Sequence, residues 1–303
     1  MTENLNRSVT VCSATFGVGQ GYILPSFLKA LSVKSRPSFI ITKNLLYSVN
    51  VTPDTKFLHR SYIYGDEINL KWDNSIPEED RFACLSFDLR ELSKKITRIL
   101  KKDQASLFIV HNRTVANATL FKEEEASNQF TIYVGRGTND REGLQSVPAT
   151  RIRYQESIVQ EPSEILKLSI PVKTFHEMMK SFSKCKPDEK IKITFYETPN
   201  GNGFLISGSS ELNTGTIIEK YGIIPDDVEP ESESALSRVS GKTFLIINLP
   251  NEFIIDKDKV SYFINFSNLS NEGTIRIYYT EGKDLKFAFR FGPYGEQTIY
   301  INS

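Results

Sequence analysis

Lysine and arginine residues recur at helical spacing in two stretches of the sequence, residues 88–102 and 171–186. The first stretch holds six basic side chains against two acidic ones, and the second holds four against one. Such clusters are typical of surfaces that neutralise phosphate groups without reading a base sequence. A single basic helix face is more often an ordinary solvated surface. Its recurrence in the second stretch favours nucleic-acid binding.

The rest of the chain offsets this positive charge. The sequence carries 37 basic and 37 acidic residues, so its formal net charge is zero. The acidic residues collect at residues 78–80, 123–125 and 226–233. If both basic helices lie on the same side of a curved sheet, they form a concave positive wall that can meet phosphates.

No group of residues has the spacing of a catalytic or metal site. Residues 17–21 lack the lysine of a P-loop and the final spacing of a dinucleotide fingerprint, so they predict a turn. A Gly-x-Ser-x-Gly nucleophile motif is missing from the sequence. Cys12, Cys84 and Cys185 form no Cys-x-x-Cys pair, and the chain has three histidines. We therefore expect a binding protein that is not an enzyme and that uses no cofactor and no metal.

Length and composition predict a soluble globular protein of about two domains. The chain has 303 residues, of which 39% are hydrophobic and 24% charged. Its longest apolar runs are far too short to span a bilayer, and residues 1–4 do not begin a signal peptide. Three widely spaced cysteines suit a reducing compartment.

The basic residues of the first stretch must be positioned by an amphipathic helix. Leu89, Leu92 and Ile96 fall on one arc at about 100° per residue, opposite the lysines and arginines. Asp88 is a candidate N-cap, with Glu91 three residues later as its capping partner. A helix at residues 171–184 has the same design. Further helices are predicted at residues 22–33 and 258–268, the last with Ser261, Asn265 and Asn268 facing outward.

These helices belong to a unit that occurs four times: a strand, a helix and about three strands. The predicted strands are residues 9–16, 38–42, 45–51, 56–64, 82–87, 105–110, 114–122, 129–134, 165–170, 190–196, 203–208, 214–221, 243–248, 274–279, 285–291 and 298–301. Glycine, proline and mixed charge near residues 135–164 indicate a connector. We therefore predict an N-terminal domain at residues 1–135, a connector at 136–163 and a C-terminal domain at 164–303.

Several local runs resemble the sliding clamp family typified by proliferating cell nuclear antigen (PCNA). The similar runs are residues 22–31, 92–95, 175–180, 263–266 and 284–291, and their order extends over nearly the whole chain. The resemblance implies a two-domain α+β clamp fold, each domain with two strand-helix-three-strand units. It also implies helices that line the inner face of a ring, in the eukaryotic form a homotrimer. Such a ring encircles double-stranded DNA and tethers a DNA polymerase and other clamp-binding proteins.

The resemblance also assigns roles to individual residues. Lys94 and Lys180 stand at DNA-facing positions. Tyr300 stands in the pocket for partner proteins, with Val51 and Leu285 near it. The strand at residues 130–134 would pair with residues 214–221 of the next subunit. The full predicted sets are Lys94, Lys95, Arg98, Lys101, Lys173, Lys180, Lys184 and Asn265 for DNA, and Phe130, Ile132, Val134, Ile217 and Ile218 for the subunit interface.

Two other functions fit the same fold. The chain could be a checkpoint-type clamp subunit in a hetero-oligomeric ring, or a transcription cofactor or interaction scaffold that has lost the ring. Pro25, Ser26 and Ser32 occupy positions where the family carries lysines. This difference indicates a divergent member. The expected location is the nucleus, or a cytoplasmic replication site if the chain comes from a large DNA virus.

Overall fold

The computed structural model of the chain describes most of its residues. The described residues are 8–31, 36–51, 57–96, 99–100, 102–111, 130–137, 144–154, 166–198, 201–209, 216–221, 253–266, 273–279 and 284–302. The chain divides into two compact units. Unit 1 comprises Met1–Val51, His59–Ile158 and Arg290–Gln297, and unit 2 comprises Thr52–Leu58, Val159–Phe289 and Thr298–Ser303. Within the described ranges, no helix has the length and apolarity needed to cross a membrane.

Four α-helices and seventeen strands are found in the described part of the chain. The helices are α1 (Ile23–Ala30), α2 (Leu89–Ile96), α3 (Val172–Ser181) and α4 (Val260–Phe266). The strands are β1 (Val9–Phe16), β2 (Ser38–Ile41), β3 (Leu45–Val51), β4 (Phe57–Tyr64), β5 (Lys71–Trp72), β6 (Ala83–Phe87), β7 (Ala105–His111), β8 (Phe130–Arg136), β9 (Gln145–Arg151), β10 (Leu166–Pro171), β11 (Lys190–Thr198), β12 (Gly201–Ser209), β13 (Thr216–Tyr221), β14 (Phe253–Asp256), β15 (Thr274–Tyr279), β16 (Asp284–Arg290) and β17 (Gly295–Asn302).

The fourfold repeat of a strand, a helix and three strands is confirmed. Two strands of the repeat, β9 and β14, lie outside the residue ranges that were predicted to be strands. The second copy ends in β9, which lies inside the stretch predicted to be a connector. Only Val147 and Ala149 of β9 are buried apolar residues, and Pro148 interrupts it, so its sequence carries a weak strand signal. The predicted strands at residues 114–122 and 243–248 lie outside the described residues. Instead, β14 directly precedes the helical turn that leads into α4.

Unit 1 is built on antiparallel strands covered by α1 and α2. The strand order is β4-β3-β2-β6-β9-β8-β7-β1-β5. Phe27 of α1 packs edge-on against Phe39 of β2 at 6.2 Å between ring centroids, and Phe39 packs against Phe87 of β6 at 5.6 Å. Burial of these aromatic rings fixes the helices against the sheet.

Unit 2 repeats this design with two groups of strands. Their orders are β10-β15-β16-β17 and β13-β12-β11-β14. Phe263 of α4 contacts the rings of Phe175 in α3 and Phe287 in β16, at 5.9 and 5.1 Å between centroids. Phe57 joins this cluster at 6.0 Å from Phe263. The apolar arc predicted for α3 therefore faces the core.

Strand β17 runs directly beside β4 within unit 1. The backbone N–H of Tyr64 donates to the carbonyl oxygen of Tyr294 at 2.8 Å. A Cβ atom at Gly295 would overlap the carbonyl oxygen of Tyr62, so the two backbones approach closely where the side chain is absent.

Helix α2 is shorter than its sequence pattern predicts. It ends at Ile96, whereas the apolar and basic periodicity continues to residue 102. The Asp103 carboxylate accepts a hydrogen bond from the Leu100 backbone N–H at 2.8 Å, and the Asp103 carbonyl accepts one from Gly21 at 2.9 Å. These bonds satisfy backbone groups of Leu100 and Asp103 outside the helix. Leu100 is 50% exposed.

Candidate nucleic-acid interface

The basic face of α2 is exposed in unit 1. Leu89, Leu92 and Ile96 are buried, which turns Arg90 and Lys94 to solvent. The N-cap prediction is confirmed, because the Asp88 carboxylate accepts the Glu91 backbone N–H at 3.0 Å. This bond lowers the pKa of the Asp88 carboxyl, so the cap stays ionised near neutral pH.

The ammonium group of Lys95 in α2 is turned back onto the protein. Its Nζ donates to Glu91 Oε1 at 2.8 Å and also to the backbone carbonyl oxygen of Ser146. The Lys95 side chain is 26% exposed. Both contacts compete with a phosphate for the ammonium group. In the described structure, the Lys95 ammonium group is therefore engaged with Glu91 and Ser146.

The basic face of α3 in unit 2 is also exposed. Lys173, Lys180 and Lys184 all lie in solvent, while Phe175 and Met179 are buried on the opposite side. Burial of the apolar arc leaves the lysines on the outer surface because the two sets are out of phase along the helix.

One other predicted DNA-facing residue is not fully exposed as expected, and two lie outside the described part of the chain. Asn265 is half-buried in α4. Arg98 and Lys101 lie outside the described residues. The exposed face of α3 also includes Glu177, an acidic residue between Lys173 and Lys180. The described basic surface is therefore narrower than the sequence predicts.

Two buried cysteines of the described residues are poor nucleophiles. Burial raises the pKa of the Cys84 thiol to about 11 and that of Cys12 further still, so both stay protonated. In the described ranges, no three histidine, cysteine, aspartate or glutamate residues are grouped to hold a metal ion.

Two of the predicted partner-pocket residues, Leu285 and Tyr300, lie on opposite faces of the sheet in unit 2. Lys286 Nζ lies 5.6 Å from the centroid of the Tyr300 ring, so these two side chains share one face of the sheet. Leu285 is adjacent to Lys286 in β16 and points to the opposite face, where it is fully buried. Val51, half-buried, belongs to unit 1. Leu285 is thus a core residue.

The predicted edge strand of the subunit interface is an internal strand. β8 pairs with β7 on one side and with β9 on the other, and Phe130, Ile132 and Val134 are all buried. These residues therefore do not lie at an edge of the described sheet. Among the described strands of this region, the first half of β9 has a neighbour on one side only, and the sequence analysis assigned β9 to the connector.

The second predicted interface strand is in a position to pair. β13, which contains Ile217 and Ile218, is terminal in its group and pairs with β12 alone among the described strands. Its outer backbone groups are available for another strand.

Sequence comparison identifies no relative: no family model matches the chain, and no curated protein matches it. Structure comparison does. A PCNA from Entamoeba histolytica matches with a TM-score of 0.60 and 11% identity, covering 97% of this chain and 99% of the other. The A. fulgidus PCNA bound to the C-terminal region of FEN-1 matches with a TM-score of 0.57 and 14% identity, covering 96% and 98%. The fold is that of the PCNA-like sliding clamps.

A third clamp structure extends the agreement. The PCNA2–PCNA3 complex of Sulfolobus tokodaii matches with a TM-score of 0.55 and 13% identity, covering 96% of this chain and 98% of the matched chain. The expected sliding-clamp fold is therefore confirmed over nearly the full length of the chain.

Proposed function

We propose that this chain is a sliding clamp that encircles duplex DNA without sequence specificity and tethers a DNA polymerase. The observation that carries the proposal is the clamp fold, which extends over 96–97% of the chain. Sliding clamps are non-enzymatic scaffold proteins, and the exposed lysines of α2 and α3 supply the positive charge for phosphate contacts. The chain would act by holding its partners and not by catalysis.

A ring needs several copies, and the internal repeat indicates how they would join. The last strand of copy four, β17, hydrogen-bonds to β4, the last strand of copy one, through Tyr64 and Tyr294. The equivalent strands of copies two and three are β9 and β13. Among the described strands, β13 pairs with β12 alone, and residues 145–148 of β9 pair with β8 alone. We therefore propose that β9 of one copy pairs with β13 of the next.

Partner proteins are proposed to bind on the sheet face that carries Tyr300. The A. fulgidus clamp, which has the same fold, is bound to the C-terminal region of FEN-1. In this chain, the Tyr278 and Tyr300 rings lie beneath Lys286 Nζ, at 5.5 and 5.6 Å from their centroids. Both rings are buried, Tyr300 at 2% and Tyr278 at 8% exposure, so a short apolar and acidic peptide would reach them only after the side chains that cover them move aside.

Topological retention on DNA tests the proposed function. Linear duplex is incubated with the protein at low salt and then ligated into a circle, so that any ring around it becomes enclosed. We expect protein on the closed circle to survive a wash in about 0.5–1 M salt, which abolishes contacts with phosphates. Cutting the circle with a restriction enzyme should then release it. Equal loss from circular and linear DNA would contradict enclosure.

The mass of the assembly in solution separates the forms of the ring. A homotrimer in sedimentation velocity would support a replicative clamp made of this chain alone. A chain that associates only after addition of a different subunit would instead indicate a hetero-oligomeric ring.

A further inference from the structure

The open side of β9 is confined to its first half. β8 pairs along residues 145–149, whereas β6 pairs on the other side only with Ala149, Thr150 and Arg151. Residues 145–148 therefore have a strand on one side and, among the described residues, none on the other. This short edge is the part of β9 that a second chain could extend.

The direction of the backbone groups on this edge follows from the β6 pairing. The Ile152 N–H donates to the Cys84 carbonyl oxygen at 2.9 Å, so the backbone groups of Ile152 point toward β6. Alternate residues of a strand direct their N–H and C=O groups to the same side. The register with β6 and β8 is continuous, so Ser146 and Pro148 also present their backbone groups to the open side.

Two of these backbone groups are not available to hydrogen-bond with a new strand. Pro148 has no N–H and cannot donate to a neighbouring ladder. The carbonyl oxygen of Ser146 already accepts a hydrogen bond from Lys95 Nζ. The open edge thus lacks one donor, and one of its acceptors is occupied.

Lys95 is held in position for this contact. Glu91, one turn earlier in α2, accepts a second hydrogen bond from Lys95 Nζ at 2.8 Å. The ion pair is of the i,i+4 type, with the glutamate on the N-terminal side, which is the favourable order. The helix therefore keeps an ammonium group at the strand edge.

We propose that the Lys95 side chain restrains strand pairing at the β9 edge. Its ammonium group must leave Ser146 before β13 of a second copy can pair there. The inference rests on the self-association proposed above. Charged side chains that cover an open strand are a known way to restrain edge-to-edge pairing. Here the Lys95 side chain weakens self-association, because its hydrogen bond to Ser146 exists only in the free chain and is lost when β9 pairs with β13 of a second copy.

Sedimentation equilibrium of Lys95 variants tests this role. Lys95→Met keeps the length of the side chain but removes the ammonium group, so we expect self-association at least about tenfold tighter than in the wild type. Lys95→Arg retains a cationic donor and should associate like the wild type. Lys71→Met removes an exposed lysine of β5 and is the matched control for loss of one surface lysine. It should leave the association constant unchanged.

Each outcome decides the proposal. The proposal is supported if Lys95→Met self-associates more tightly than the wild type while the self-association of Lys71→Met is unchanged. This holds even if the wild type is a monomer at the concentrations used. Equal or weaker association of Lys95→Met overturns it, as does the absence of association in both proteins. The proposed clamp function fails on a different measurement, the retention of the wild-type protein on closed DNA.

Discussion

His59 is a buried titratable side chain whose environment is fixed by neighbouring residues of β4. It is 1% exposed, and its Nε2 lies 3.2 Å from the hydroxyl of Ser61. Burial lowers the pKa of the imidazole to about 3. The folded protein therefore keeps His59 neutral at pH values where an unfolded chain would bind a proton.

The stability of the protein should consequently fall as the pH drops below about 6.5, the ordinary histidine pKa. In the range from about 6.5 down to about 3, the unfolded state binds a proton at His59 and the folded state does not. This group alone contributes a slope of up to about 1.4 kcal/mol per pH unit. His59→Gln should lack that component, measured as the urea unfolding free energy at pH 7, 6, 5 and 4.

Ser61→Ala is the control for this prediction. It removes the hydroxyl next to the imidazole but keeps the titrating group, so the pH dependence should persist at a lower overall stability. Parallel profiles for His59→Gln and the wild type would mean that another group causes the acid sensitivity.

At the scale of elements, aromatic side chains fix the helices against the strands. In unit 2, Phe263 connects α4 to α3 and β16 through ring contacts with Phe175 and Phe287, and it is fully buried. Loss of this ring would leave a cavity between three elements, which could collapse only if the helices moved.

Phe263→Ala should lower the free energy of unfolding by about 3–5 kcal/mol. Ile264→Ala, at the neighbouring half-buried position of α4, should cost much less, because less apolar surface is lost from the core. Urea unfolding followed by circular dichroism gives both values. If Phe263→Ala does not fold, Phe263→Leu should still fold and show a smaller loss of stability than Ala. Equal costs for the variants at 263 and 264 would contradict the packing role of the ring.

At the scale of the whole molecule, the proposed function requires the positive charge on the helices to hold DNA without reading its sequence. Replacement of Lys94, Lys180 and Lys184 by Glu should weaken binding to a short duplex. It should also reduce the slope of log affinity against log salt by about three, the number of phosphate contacts removed. Fluorescence anisotropy across a salt series measures both quantities.

A triple variant with the same change in charge provides the control. Lys71, Lys190 and Lys192 are exposed on strands, and the two in β11 lie on the face opposite the buried Ile191 and Ile193. Their replacement by Glu should have a much smaller effect on the salt slope. If both triple variants behave alike, net charge and not the helix faces governs binding.

Comparison of β8 and β9 explains why the sequence analysis assigned a sheet edge to residues 130–134. β8 is rich in aromatic and β-branched residues and reads as a strand in isolation, but its position between β7 and β9 depends on pairing with distant segments. β9 contains Pro148 and little apolar surface, so its local signal is that of a connector. A strand of this kind is stabilised by its neighbours, which no local pattern encodes.

The sequence by itself determined the helices, the fourfold repeat and, through the resemblance of ordered runs, the clamp fold. Apolar periodicity and the Asp88 cap act within a few residues, so they can be recognised along the chain. Only the tertiary structure decided that Leu285 is a core residue, that β9 has the open edge and that Lys95 contacts Ser146. These properties depend on which distant strands pair and on which face each side chain then lies.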